Sequence, residues 1–290
     1  LLDVPVASVF DAGFAVGVSS PRYWRADGKA YRAGTDSFDL DDPRTPDLIA
    51  TLGYQLRAGV AILDGRLAEA GTVSDLAAEI GGWGDSSAGN HMWQRLVIDW
   101  LDGDIKASHQ RVADLYQRFG GQPMRCTLAW VEAAINNETG ARELLERVRI
   151  DRLHRLPELF LGTIGLATCA MAVWHLGDRR WADAVVSAFQ PVSELVCGVP
   201  WTPLPSGHFF VGLMHTLLGD PRAADDAFSA ATLVHERLGA PAFVALTKAA
   251  QGRALVAVDP QRAGALLAEA QHSASTLGLA GVVSITSAER

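Results

Sequence analysis

The chain has 290 residues, 49% hydrophobic and 20% charged, with a formal net charge of -8. Its 25 Lys and Arg against 33 Asp and Glu exclude a strongly basic nucleic-acid protein, because few phosphates could be neutralised. Three cysteines without a CxxC pair exclude a disulfide scaffold and argue against a Cys-rich zinc site.

In chain order, residues 1–46 hold Pro5, Gly13, Gly17, Pro21, Gly28 and Gly34 and read as an irregular extension. The start, Leu1-Leu2-Asp3-Val4-Pro5, lacks the basic region of a signal peptide. With Leu1 where an initiator Met would stand, the chain reads as a piece of a longer one. Asp41-Asp42-Pro43-Arg44-Thr45-Pro46-Asp47 has a superficial likeness to the aspartate-rich metal motif of all-α terpene cyclases. That chemistry needs carboxylates aligned on a helix, which Pro43 and Pro46 break. Asp47 reads better as an acidic residue near a helix start.

From Asp47 onwards amphipathic periodicity predicts helices over 47–63, 66–80, 89–101, 104–119, 123–135, 138–149, 157–176, 179–196, 206–218, 221–238, 241–257 and 260–277. Leu159–Gly177 and Leu195–Gly219 carry no Asp, Glu, Lys or Arg and are long enough to span a bilayer. Pro200, Pro203 and Pro205 interrupt the second, and neither has a basic flank, so both read as buried segments rather than membrane spans. Residues 282–290 are left as a tail.

The helices pair around a recurring turn, with anchors at Gly65, Gly103, Asn136, Gly177, Gly219 and Val258, which return about every 39 residues. Five positions past each anchor stands a small side chain: Ala70, Ser108, Ala141, Ala182, Ala224 and Ala263. The side chains at +9 and +12 share its helical face, so a small side chain lets each second helix lie close to the first. One such pair cannot bury its apolar face alone, and stacking six does. The fold expected is all-α, an α-solenoid of about six antiparallel pairs over residues 47–281, without a single globular core.

Leu218-Gly219-Asp220-Pro221-Arg222-Ala223-Ala224-Asp225-Asp226-Ala227-Phe228 resembles the turn and second helix of a tetratricopeptide repeat, although most intervals exceed the regular length of about 34 residues. Leu63-Asp64-Gly65-Arg66-Leu67-Ala68-Glu69-Ala70, Ala172-Val173-Trp174-His175-Leu176-Gly177-Asp178 and Glu236-Arg237-Leu238-Gly239-Ala240-Pro241 resemble the helical-repeat region of actinobacterial STAND-type signalling ATPases. The resemblance covers about four-fifths of the chain. It implies a right-handed superhelix in a cytoplasmic signalling or transcriptional regulator, acting without catalysis on a protein or peptide partner. That partner includes, on this reading, an upstream NTPase of the same chain. Catalytic residues do not carry over, because no G-x-x-x-x-G-K-[ST] occurs. The alternatives are a free-standing adaptor and an all-α enzyme with a central cavity.

No cofactor or metal is expected. His208 and His215, seven apart, share a helix face but lack a third ligand, and no serine sits in a nucleophile elbow. Transferring the ligand-facing offsets of tetratricopeptide first helices selects Trp93, Gln94, Trp100, Trp130, Trp174, His175, Phe209 and Phe210 as a partner groove. Four of the eight tryptophans fall there, which suits a peptide or amphipathic helix. The competing assignment is packing between repeats, since Trp is usually mostly buried.

Overall fold

A computed structural model describes residues 22–40, 42, 44–82, 84–158 and 161–287. The expected extension up to Pro21, Asp41 and Pro43 of the acidic motif, and the tail beyond Ser287 lie outside the described residues. Helix α1 spans Gly28–Asp36, and then helices alternate around the predicted turns. The first members of the pairs are α2 (Asp47–Asp64), α4 (Asp85–Asp102), α6 (Gln122–Ala134), α8 (Gly162–Leu176), α10 (Gly207–Leu218) and α12 (Pro241–Leu255). The second members are α3 (Leu67–Ile80), α5 (His109–Phe119), α7 (Glu138–Glu146), α9 (Arg179–Phe189), α11 (Pro221–Leu238) and α13 (Pro260–Leu277). Short 3-10 segments precede α5 and α8, and α14 (Ala280–Ser287) ends the described chain.

The turns form for the reason the sequence indicates. Gly65, Gly103, Gly177 and Gly219 take left-handed φ values between 62° and 85°, and Asn136 takes the same region at 65°. Their amides cap the preceding helix, and the next helix receives a side-chain cap where Asn137, Asp178, Asp220 or Asp259 accepts from an amide two or three positions on. The small residue at +5 is buried in all six pairs, none more than 2% exposed. Second helices therefore approach the first at side-chain contact. Asp178 is buried as well and pairs with both Arg180, at 2.6 Å, and Arg142, at 3.2 Å, tying α7 to α9. The Arg180 guanidinium, chiefly, holds the Asp178 carboxyl below the usual range.

Consecutive pairs pack as a helical repeat should, with α2 on α3, α6 on α8, α10 on α11 and α12 on α13. The ends of the array also meet. Helix α12 touches α2, and α14 touches α4. Arg32 donates to the Gly239 carbonyl at 2.6 Å and pairs with Asp64 at 2.7 Å. A Cβ on Gly28 would fall 2.0 Å from the Leu238 carbonyl oxygen, and one on Gly65 would touch Leu277. Correcting the expectation of stacked repeats without one core, a continuous buried cluster runs from Tyr23 to Val282. Closure of the array is the cause, because it joins the ends of the array into one packed body.

The expected helix over 179–196 stops at Phe189. Gln190–Val192 makes a 3-10 turn that includes Pro191, and β1 (Val196–Val199) and β2 (Thr202–Ser206) follow as an antiparallel hairpin. Pro200 sits in its turn, and Pro203 and Pro205 lie in β2. Every residue of both strands is buried. The second uncharged stretch is thus half hairpin and half α10, while the first becomes α8. Among the described residues no helix is long and apolar enough to cross a membrane.

A hairpin buried inside helices leaves backbone carbonyls that no sheet neighbour can serve. Side chains serve them instead. Tyr23 donates to Cys197 O at 2.6 Å, Trp24 to Gly198 O at 3.1 Å, Tyr31 to Pro200 O at 2.6 Å and Gln94 to Trp201 O at 2.6 Å. Residues 22–36 hence belong to the packed body. The hairpin also touches α2, α4, α8 and α10 and fills the space between these first helices on one side.

Candidate functional site

Beyond the hairpin the first helices enclose a cavity of about 670 Å³, within the range that holds a small ligand. It opens toward their C-terminal ends. Helix α10 lines it with Phe209, Leu213 and Thr216, and α8 with Met171, Trp174 and His175. Helix α12 contributes Leu246, Ala250 and Arg253, α4 contributes Trp100, and α14 closes the circuit with Gly281, Ser284 and Ile285.

The eight residues selected from sequence divide evenly. Trp100, Trp174, His175 and Phe209 line the cavity, His175 being exposed at its edge. Phe209 reaches the cavity from within the core, 2% exposed; the other four are interior as well but do not line the cavity, and they make packing contacts. Trp93 is 5% exposed and sits in the core. Gln94 is fully buried; its Nε2 donates to the carbonyls of Gln55 and Trp201, and its Oε1 accepts from Ser74. Trp130 is fully buried and meets Trp100 edge to face, ring centroids 5.3 Å apart. Phe210 stacks on Phe189 at 5.5 Å. The physical reason is the closed array and its hairpin, which cover positions that an open superhelix would expose.

The cavity residues have a common register. Counted back from the capping Gly219, Thr216, Leu213 and Phe209 of α10 stand at -3, -6 and -10. In α8, Trp174 and Met171 stand at -3 and -6 from Gly177, and in α4 Trp100 stands at -3 from Gly103. Arg253, Ala250 and Leu246 take the same three offsets from Val256, the C-cap of α12. Anchoring the sixth turn on Val258 puts that register two positions late, which is why Arg253 escapes sequence selection. The left-handed Gly or Asn that marks the other first-helix ends is missing there.

Seven positions separate Phe209 from Thr216 and Leu246 from Arg253, about 10 Å along a helix. Phe209 and Leu246 are apolar, whereas at the other level Thr216 and Arg253 stand beside Trp100 and Trp174, with His175 and Ser284 also lining the space. Among the described residues no Asp or Glu lines the cavity. Arg253 is half-buried, and among the described residues it has no ion-pair or hydrogen-bond partner. Many of the other arginines have one, as Arg111 has Asp99, Arg142 has Asp178 and Arg262 has Asp225.

Among the described residues, no three His, Cys, Asp or Glu converge as metal ligands would. His208 lies near His235, but the His235 ring is already engaged: Nε2 accepts from the Ser206 amide at 2.9 Å, and Nδ1 faces the Thr247 hydroxyl at 3.1 Å. Burial pushes His235 down to about 3, so the ring is neutral and serves the hairpin's exit into α10. Of the acidic motif, Asp42 is held by Arg44, which lowers its pKa to about 2, and Asp47 opens α2 as expected.

No protein-family model, curated protein or solved structure matches this chain.

Proposed function

We propose that the chain is a non-catalytic regulatory module whose recognition site is the cavity at the C-terminal ends of its first helices. The observation that carries this reading is the convergence of Trp100, Trp174, His175 and Phe209, from three separate helices, on one space of about 670 Å³. In this reading the repeats are tetratricopeptide-like and wind right-handed. The module belongs to a cytoplasmic signalling ATPase or transcriptional regulator and answers to an upstream NTPase. A partner segment or ligand in the cavity touches both α4 of the second pair and α14, the last described helix, which closure of the array brings together. Occupancy therefore favours the closed array, and a ligand with different affinity for closed and loosened states shifts their balance by that difference. The attached domain reads the shift.

The test is made in the full reading frame. Where a P-loop NTPase lies upstream, its rate is expected to respond to a cavity ligand, and Trp100→Ala with Trp174→Ala is expected to abolish the response. An undiminished response in the folded double variant overturns the reading. A frame without any NTPase replaces it with the free-standing adaptor.

A further inference from the structure

We infer that the cavity binds a small amphipathic monoanion, its apolar body against Phe209, Leu213 and Trp174 and its carboxylate on the Arg253 guanidinium. The inference rests on the cavity being the recognition site and adds the chemical class of its occupant. Three observations carry it together. The wall is apolar at the level of Phe209 and Leu246, and two helical turns on it carries Thr216 and Arg253 beside Trp100 and Trp174, which suits a ligand with an apolar body and one polar end. The charge at the mouth is the Arg253 guanidinium, and among the described residues no carboxylate lines the space. Arg253 has no partner among the described residues, so its donors remain available to a ligand.

One effect opposes this sign. The C-terminal ends of the first helices surround the mouth, each equivalent to about half a negative charge, and these would favour a cation. Their last carbonyls, however, receive the capping amides of Gly103, Gly177 and Gly219, and the dipole effect fades within a turn. A full guanidinium charge inside an apolar wall acts at contact distance, where a charge-assisted hydrogen bond forms. A cationic ligand would have to seat its charge beside Arg253. The anion is favoured.

The experiment compares three probes that share a ten-carbon tail: decanoate, decanol and decyltrimethylammonium. Binding to the full chain, below the probes' aggregation range, is followed by calorimetry and by tryptophan fluorescence. Decanoate is expected to bind about ten-fold or more tighter than decanol, and decyltrimethylammonium weakest, from the usual strength of a hydrogen bond to a charged group. Arg253→Gln should bring decanoate to the level of decanol and leave decanol unchanged, while Arg253→Lys keeps part of the preference. An unchanged melting temperature in both variants shows that the fold survives. Equal binding of decanoate and decanol, insensitive to Arg253→Gln, overturns the anion assignment and leaves the cavity as a recognition site. Binding of none of the three, with Trp100→Ala/Trp174→Ala still silencing the parent's response, overturns the small-ligand occupant and leaves the wider reading with a peptide.

Discussion

Gly281 lies against the main-chain carbonyl of Trp100: a Cβ at position 281 would sit 2.4 Å from that oxygen. The same Cβ would stand 2.9 Å from the Leu101 oxygen and 3.0 Å from the Gly103 amide. This approach joins the last described helix to the end of α4 and completes the wall of the cavity.

Gly281→Ala should therefore loosen α14, because the obstructing atoms are backbone and cannot swing aside. The expected loss is about 1–3 kcal/mol, the usual cost of overpacking. Urea denaturation measures it. Hydrogen exchange should quicken in 280–287 before the rest of the chain, and equal quickening everywhere would refute a local seam.

Tyr31→Phe removes the hydroxyl that serves the Pro200 carbonyl and leaves that oxygen buried without its donor. A destabilisation of about 1–3 kcal/mol is expected. Tyr23→Phe should behave alike at Cys197 O. Thermal unfolding of the two single variants checks both. Stabilities indistinguishable from the parent's would show that the hairpin carbonyls are served otherwise.

Protonation of His235 gives a pH dependence with a definite sign. Burial holds the folded pKa near 3, below the ordinary His value of 6.5, so the unfolded chain binds the proton more readily. The stabilisation is fully present above the unfolded pKa and is lost as pH falls from 6.5 toward 3. About 3 kcal/mol should go between pH 6.5 and pH 4. Denaturation midpoints across that range measure it, and His235→Gln should flatten that part of the curve. A slope identical in the variant would assign the loss to other groups.

Trp130→Ala and Trp174→Ala should separate core from cavity. Trp130 is fully buried, and its truncation is expected to cost about 3–5 kcal/mol. Trp174 is only half-buried beside an existing cavity, so its truncation should cost clearly less. Equal costs in chemical denaturation would contradict the division of the predicted residues.

Asn136 occupies the left-handed position that glycine holds in four of the other turns. Asn136→Gly should be neutral or slightly stabilising, and Asn136→Ala should cost about 1 kcal/mol, since a Cβ without a local hydrogen-bonding group is penalised there. Thermal melts of the pair decide, the reverse order being incompatible with this turn geometry.

Much of this architecture is legible locally. Gly or Asn at a helix end, Asp or Asn at the next start, and a small residue five positions past the anchor are short-range signals; the small residue is buried in every pair, and Asn137, Asp178, Asp220 and Asp259 cap their helices, whereas Asp104 makes no side-chain cap. Half of the candidate site is legible in the same way, because the offsets -3 and -10 from a capping turn fall on one helix face. Trp93 and Trp130 show the limit. They carry the same signal as Trp174, yet whether such a face meets solvent, another helix or a ligand depends on what stands opposite.

That is decided only by contacts between residues far apart in the chain. The meeting of Gly281 with Trp100, and of Arg32 with Gly239, closes the array and produces one core instead of a stacked series. The proline-rich segment 195–206, uncharged and without helical period, contains nothing that announces a buried hairpin; Tyr23, Tyr31 and Gln94 make it possible by supplying donors from remote helices. Arg253 becomes a candidate ligand-binding residue only because α12 ends at Leu255, bringing it level with Trp100, Trp174 and Thr216. Helix pairs, turns and charge balance follow from the sequence by itself, since their physics is local. The cavity and its cation follow from closure, which is a property of the whole chain.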